Sequence, residues 1–161
     1  MTTSRIANVQ ATAVHGTAVA IGSQCVLLTG PPGVGKSELA MALVDRGAKL
    51  VADDLVQIIM APESPGLLLA VSPLAQAGQS QKPKLALRNF GIVDVACEVD
   101  PIPLSLVIAL DREAHASSQS LRPALSQYGP VMGLYIPQLH INPASPATAL
   151  KVELALVRWG L

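Results

Sequence analysis

A chain of 161 residues, half of them apolar and 14% charged, can build one compact core but leaves little room for a second. Lys plus Arg balance Asp plus Glu at 11 each, which supplies neither the basic footprint of a nucleic-acid binder nor the polybasic patch of a membrane-surface protein. No apolar h-region opens the chain and no stretch approaches a membrane span, so a soluble cytoplasmic protein is expected.

Aromatic residues are scarce, with one Trp, two Tyr and one Phe. The core must come from Leu, Val, Ile and Ala, as in buried parallel strands covered by helices. Cys25 and Cys97 sit in apolar runs without metal-ligand spacing and read as buried thiols rather than a disulfide.

In chain order, Ala11–Val14 and Thr17–Ile21 read as short strands flanking His15-Gly16, in an early strand or hairpin, with a turn at Gly22-Ser23-Gln24. Cys25–Thr29 is a continuous apolar run ending at glycine, which suits a central strand buried on both faces. From Lys36 to Arg46, Leu39, Ala40, Leu43 and Val44 form one helical stripe, and Gly47 supplies the stop. Leu50–Ala52 predicts a strand ending at Asp53-Asp54. Residues 62–66 and 71–83 are rich in Pro, Gly, Ser and Gln and read as loops around a strand at Leu67–Ala70. Ile92–Val95 and Leu104–Leu110 favour strand, whereas Arg112–Tyr128 is polar and reads as loop with short helical turns. Ser145-Pro146 has the form of an N-cap and first-turn proline opening a last helix through Val157. No internal repeat is visible.

Gly30-Pro31-Pro32-Gly33-Val34-Gly35-Lys36-Ser37 fits the G-x-x-x-x-G-K-[ST] pattern at every required position. Glycines allow the backbone angles that turn several N–H groups inward, forming a nest for phosphate oxygens. The positive end of the following helix adds to it. Lys36 can reach the terminal phosphates, and the Ser37 hydroxyl can ligate Mg²⁺. The flanking strand and helix are the context the motif needs, so the loop from Gly30 to Ser37 is expected to bind a nucleoside triphosphate. Such a loop names the ligand and not the reaction.

Asp53-Asp54 stand 17 and 18 positions after Lys36, at the end of a predicted strand. Where strand ends converge near the terminal phosphate, one carboxylate can hold Mg²⁺ and a second can take a proton from an attacking hydroxyl. Asp111, at the end of Leu106–Leu110, competes for the metal-linked role, and its neighbour Arg112 offers simple charge neutralisation. On spacing alone the two candidates are not separated. His15, His115 and His140 read on their own as structural or surface histidines.

His15-Gly16, the loop running into Lys36-Ser37-Glu38, and Arg46 through Asp54 follow an order and spacing similar to the bacterial HPr kinase/phosphorylase family. Residues 87–95, Leu-Arg-Asn-Phe-Gly-Ile-Val-Asp-Val, resemble that family's E-x-R-G-x-G-I signature, and the resemblance covers most of residues 14–110. It implies an α/β fold, a P-loop-containing kinase domain with a central mixed sheet flanked by helices, over residues 1–161 as a single catalytic domain. That is the family's short form, without the N-terminal domain of full-length members. The implied activity is ATP- and Mg²⁺-dependent phosphorylation of a serine on HPr, the phosphocarrier of the sugar phosphotransferase system or its nitrogen-related counterpart. Many members also reverse it by phosphorolysis, and members commonly form hexamers.

Carried over by position, Asp54 is the catalytic base, Asp53 supports the metal beside Ser37, and Lys36 keeps its phosphate role. His15 matches an active-site histidine, Arg88 lies in the signature segment and Arg122 matches a later active-site arginine. The chain departs from the family at Ala86, where a metal-binding glutamate stands, and at Asn89, where a glycine stands. Pro31 and Pro32 replace polar loop residues, and residues 141–145 lack the family's P-G-R segment. These departures motivate an alternative function, a nucleotide-binding regulatory module with weak or no phosphoryl transfer. A different P-loop enzyme, such as a small-molecule kinase or an AAA-type ATPase, ranks last because the chain is short for it.

Overall fold

The computed structural model describes residues 11–64, 66–76, 78, 82–114, 124–127 and 135–161. Two extended runs form a broken antiparallel ribbon. In one, β1 (Ala11–His15) passes through Gly16 into β2 (Thr17–Ile21); in the other, β4 (Lys49–Ala52) passes through Asp53-Asp54 into β5 (Leu55–Met60). β1 pairs with β5, His15 opposite Leu55, and β2 pairs with β4, Ala18 opposite Ala52. His15-Gly16 is therefore not the turn of a hairpin. The Gly16 N–H donates to the Asp54 carbonyl (3.1 Å) instead, and each strand finds a partner far along the chain.

Between the two runs lie β3 (Gln24–Thr29) and α1 (Lys36–Asp45). After them come β6 (Leu68–Val71), the short α2 (Pro73–Gln76), a hairpin of β7 (Leu85–Leu87) and β8 (Gly91–Val93), and the long β9 (Ile102–Leu110). β10 (Ala124–Gln127), β11 (Tyr135–Ile141) and α3 (Thr148–Trp159) complete the order. The sheet follows β1-β5-β6-β9-β3-β2-β4, with β11 parallel to β9 and β10 antiparallel to β11. Because β1 continues into β2 and β4 into β5, the two ends of this path are joined by the ribbon and the sheet curls on itself. β3 and β9 run parallel and β2 antiparallel to both β3 and β4, so the sheet is mixed, as predicted.

Alternation along β3 explains two cores. Val26 and Leu28 point to the side covered by α1 and α3, with Leu39, Leu43, Val152 and Leu156. Cys25 and Leu27 point into the curl, among Val56, Ile58, Leu68 and Leu104. A fully buried Leu contributes roughly 1.5–3 kcal/mol, so both faces of β3 hold the fold together. α1 and α3 cover one face, and the other is closed by strands. This differs from the expected pattern of strands covered by helices, because β5 and β6 supply the apolar surface that a second helical layer would provide. Burial within the curl pushes the Cys25 thiol far above the ordinary thiol range, and partial burial raises Cys97. Both are free thiols.

α1 forms as predicted, with Leu39, Ala40 and Leu43 buried and Gly47 at φ +108° ending it by donating to the Val44 carbonyl (2.9 Å). Arg46 reaches Glu153 of α3 through two hydrogen bonds, 2.7 and 2.9 Å. The last helix begins at Thr148, three residues after the expected cap. Ser145 Oγ accepts from the Ala147 N–H (3.2 Å) in a turn, and its carbonyl accepts from Thr148 Oγ1 (2.6 Å). Strands also form at Leu55–Met60, Leu85–Leu87, Ala124–Gln127 and Tyr135–Ile141, where none is predicted, and Ala124–Gln127 corrects the reading of Arg112–Tyr128 as loop and helical turn. β11 carries Pro137 in its interior, a residue that argues against a strand until the pairing is seen. Among the described residues no helix is long and apolar enough to cross a membrane.

Candidate functional site

β3, β4, β9 and β11 share one direction, so their carboxyl ends gather at one end of the sheet. There the loop from Gly30 to Gly35 joins β3 to α1. Gly30, at φ +143°, lies so close to β9 that a Cβ would stand 2.8 Å from the Leu110 carbonyl oxygen and 2.9 Å from Val34 Cγ1. Gly33 (φ +77°) and Gly35 (φ +113°) take backbone angles that L side chains rarely adopt. Gly35 caps α1, so the N–H groups of its first turn remain available to a ligand. Lys36 folds back, its Nζ donating to the carbonyls of Gly30 (2.8 Å) and Pro31 (3.2 Å).

The break in the ribbon brings the acidic pair to this loop. Ser37 Oγ lies 3.3 Å from both carboxylate oxygens of Asp53. Asp53 Oδ1 also accepts from Thr17 Oγ1 (2.7 Å) and from the Asp54 N–H (3.1 Å). Thr17 is fully buried and Asp53 half-buried, so the carboxylate is held from the strand side while facing the loop. Asp54 sits at φ +71° and is exposed, and its carboxylate has no partner among the described residues. A left-handed non-glycine residue is uncommon and costs of order 1–3 kcal/mol, which marks the position as over-determined by its surroundings. The ladder supplies that determination: the Asp54 carbonyl takes the Gly16 N–H, and the Leu55 N–H reaches the Asp53 carbonyl (2.9 Å).

His15 ends β1 opposite Leu55, one residue from Asp54, and is exposed. Asp111 is separated from its rival by geometry. Its Oδ1 accepts the Glu113 N–H (2.9 Å) in its own turn, and it makes no bond to Ser37 or Lys36. Arg112 does not neutralise Asp111; its Nη2 donates to the Gly33 carbonyl (2.9 Å). Arg122 and His115 lie outside the described residues.

The β7–β8 hairpin leans over the loop. Ala86, Leu87 and Arg88 line a cavity of about 400 Å³ together with Gly33, Gly35, Lys36, Ser37 and Glu38. A Cβ on Gly33 would meet Arg88 Nη2 at 2.9 Å. Asn89 adopts φ +66°, a conformation that Asn tolerates better than most residues, so the turn survives where a glycine is expected. Ala86 lines the same cavity without an oxygen to offer. A cation here would draw on Ser37 and Asp53, hard oxygen donors of the kind Mg²⁺ takes, with phosphate and water completing its shell. Among the described residues no group of three or more His, Cys, Asp and Glu is placed to hold a metal.

A second cavity, of about 630 Å³, adjoins the first and shares Gly33, Gly35, Glu38 and Arg88. Leu39, Ala42, Pro143, Pro146 and Ala149 give it an apolar wall, with Arg112 and Asn142 at its polar edge. Its size and apolar lining suit a nucleoside. Sequence reading passes over Thr17 and Asn142 and gives Arg112 a different role. Their partners lie 36, 30 and 79 positions away, so no local signal reveals them.

The solved structure of the Hpr(Ser) kinase/phosphatase from Coxiella burnetii superposes with a TM-score of 0.72 at 24% identity, covering 91% of this chain and 94% of that one. At that identity the likeness is one of fold. The HPr kinase/phosphorylase of Caldicellulosiruptor bescii is 32% identical over 144 residues, 86% of this chain but 44% of the relative. That of Clostridium botulinum is 40% identical over 84 residues, 52% of this chain and 25% of the relative. The chain thus spans less than half the length of these curated relatives. The family model described as HPr Serine kinase C-terminal domain matches residues 7–151, and the chain belongs to that family.

Proposed function

We propose that this chain is a protein serine kinase of the HPr type, a P-loop kinase domain over residues 1–161 that uses ATP and Mg²⁺ to phosphorylate an HPr-like phosphocarrier. The observation that carries this reading is the meeting of Ser37 with Asp53 at 3.3 Å beside Lys36, one residue before the exposed carboxylate of Asp54. That constellation provides a phosphate cradle, a cation anchor and a free base within one break of the sheet.

MgATP, when bound, supplies an electrophilic phosphoryl group whose charge is partly neutralised. The residues Gly30–Ser37 hold the phosphates through backbone N–H groups and the start of α1. Lys36, now on the Gly30 and Pro31 carbonyls, is the cation that would hold the phosphate oxygens. Ser37 and Asp53 are the residues that would hold Mg²⁺, with Thr17 keeping Asp53 oriented. Asp54 takes the proton from the acceptor serine hydroxyl and, in phosphorolysis, would return it. His15 flanks Asp54 at the entrance, and Arg88, like Arg122 by resemblance, meets substrate charge. A cytoplasmic enzyme that assembles as a hexamer and acts on neither nucleic acid nor membrane completes the reading.

Labelled ATP, Mg²⁺ and an HPr-type carrier test it directly, alongside Asp54→Asn. Label on a carrier serine that disappears with the variant supports both the kinase and its base. ATP binding without transfer favours the regulatory-module reading. Ala86 motivates that second reading, because it removes a carboxylate from the cavity in which phosphate and metal would meet.

A further inference from the structure

Pro31 and Pro32 carry no N–H, so the loop has two fewer donors for an anion and depends on how its remaining peptides are aimed. The peptide joining Gly33 to Val34 is held from both edges. Its N–H donates to the Pro31 carbonyl at 3.2 Å, and its carbonyl accepts from Arg112 Nη2 at 2.9 Å. The two groups point in opposite directions across a trans peptide, so one rotation satisfies both bonds. Gly33 has no Cβ to resist turning. A flip would drive its carbonyl oxygen into the interior of the loop, against the Pro31 carbonyl and against any anion seated there.

Arg112 is itself fixed. It leaves the end of β9 in a turn closed by the Glu113 N–H to Asp111 Oδ1 bond (2.9 Å). Asn142 Nδ2 donates to the Arg112 carbonyl (2.9 Å) and the Ala114 carbonyl (3.4 Å), while Asn142 Oδ1 accepts from the Ala144 N–H (2.9 Å). The same asparagine therefore joins the arginine's turn to the segment that walls the 630 Å³ cavity.

We propose that Arg112 is a positioning residue of the loop: it holds the Gly33–Val34 peptide in the orientation that admits an anion and ties it to the Asn142 wall. The proposal rests on the reading that this loop receives the phosphates of a nucleotide. It goes beyond that reading by giving the loop a brace from the far side of the cavity.

The test compares the full chain with Arg112→Met, which keeps the aliphatic stem and removes the donors, and with Arg112→Lys, which restores one charged donor. Amide hydrogen exchange is followed at residues 33–37, and binding of MgADP and of adenosine is measured at low and high salt. In Arg112→Met those amides should exchange about fivefold faster or more while β3 and α1 interior amides hold, and the Kd for MgADP should rise about tenfold with adenosine unchanged, as expected for loss of one charge-assisted bond. Arg112→Lys should recover part of both. Unchanged exchange overturns the inference, as does an equal loss for MgADP and adenosine, which would make Arg112 a wall of the nucleoside cavity. A MgADP loss confined to low salt, without faster exchange, also overturns it and assigns a direct ionic contact. A wild-type chain that binds no MgADP refutes the proposed function, while the exchange comparison still decides the brace.

Discussion

Replacing Gly16 with alanine probes why the ribbon breaks where the aspartates sit. A Cβ on Gly16 would lie 2.7 Å from the Leu28 carbonyl oxygen and 3.1 Å from Leu27 Cδ1. Carbon–oxygen contacts between neighbouring strands settle at about 3.3–3.6 Å, so β2 would have to retreat from β3 by more than about half an ångström. Leu27 and Leu28 are fully buried, and the obstructing oxygen belongs to the backbone opposite Thr17. The closer obstruction, a backbone oxygen, cannot yield by rotating a side chain. Overpacking of this kind costs about 1–3 kcal/mol, and the smaller entropy of the unfolded alanine chain offsets about 0.4–1 kcal/mol of it. A net loss of about 1–2 kcal/mol is expected in urea titration, with the midpoint lowered and the slope unchanged. Gly22→Ala is the control. It has nothing within 4 Å but sits at φ +63°, so it should lose about 1–2 kcal/mol from backbone strain alone. The two can be told apart by hydrogen exchange, since only Gly16→Ala should expose the amides of β2 facing β3. A Gly16→Ala variant as stable as the wild type, with those amides protected, would refute the steric account of the break.

Thr17→Val keeps the shape of the side chain and removes the 2.7 Å bond to Asp53. It should lower stability by about 1.5–3 kcal/mol, as a hydrogen bond to a charged group does, measured by urea titration. Leu28→Ala empties a site in the core beneath α1 and should cost about 3–5 kcal/mol in the same assay. Burial raises the Cys25 thiol, so the folded state holds that proton more tightly than the unfolded chain. Its contribution to stability is complete below the ordinary thiol range and declines as pH rises above it. Urea midpoints from pH 7 to pH 10 should therefore fall less steeply in Cys25→Ala than in the wild type.

Much of the site was legible before any coordinates. The loop from Gly30 to Ser37, the helix after it and the pair Asp53-Asp54 are local patterns, and each formed where its residues predict. Asn89 takes φ +66° at the position where the family has a glycine. Other features were hidden because they depend on distant partners. Asp53 and Asp111 both end apolar runs, and only the ribbon's register sets the first against Ser37 while the second closes its own turn. Arg112 stands next to an aspartate in sequence but bonds a carbonyl 79 positions away.

The sequence by itself determined the phosphate-loop motif, the central strand and the family resemblance, since motif spacing and apolar periodicity are properties of a few neighbouring residues. Tertiary structure alone decided that β1 and β2 run on through Gly16 as one broken ribbon strand and that the sheet curls on itself instead of being covered on both faces. It also decided which aspartate meets the loop, and that a threonine and an arginine hold the parts in place. Those outcomes follow from strand pairing over long sequence separations, and pairing is set by which buried surfaces and hydrogen-bonding edges satisfy one another once the whole chain is assembled.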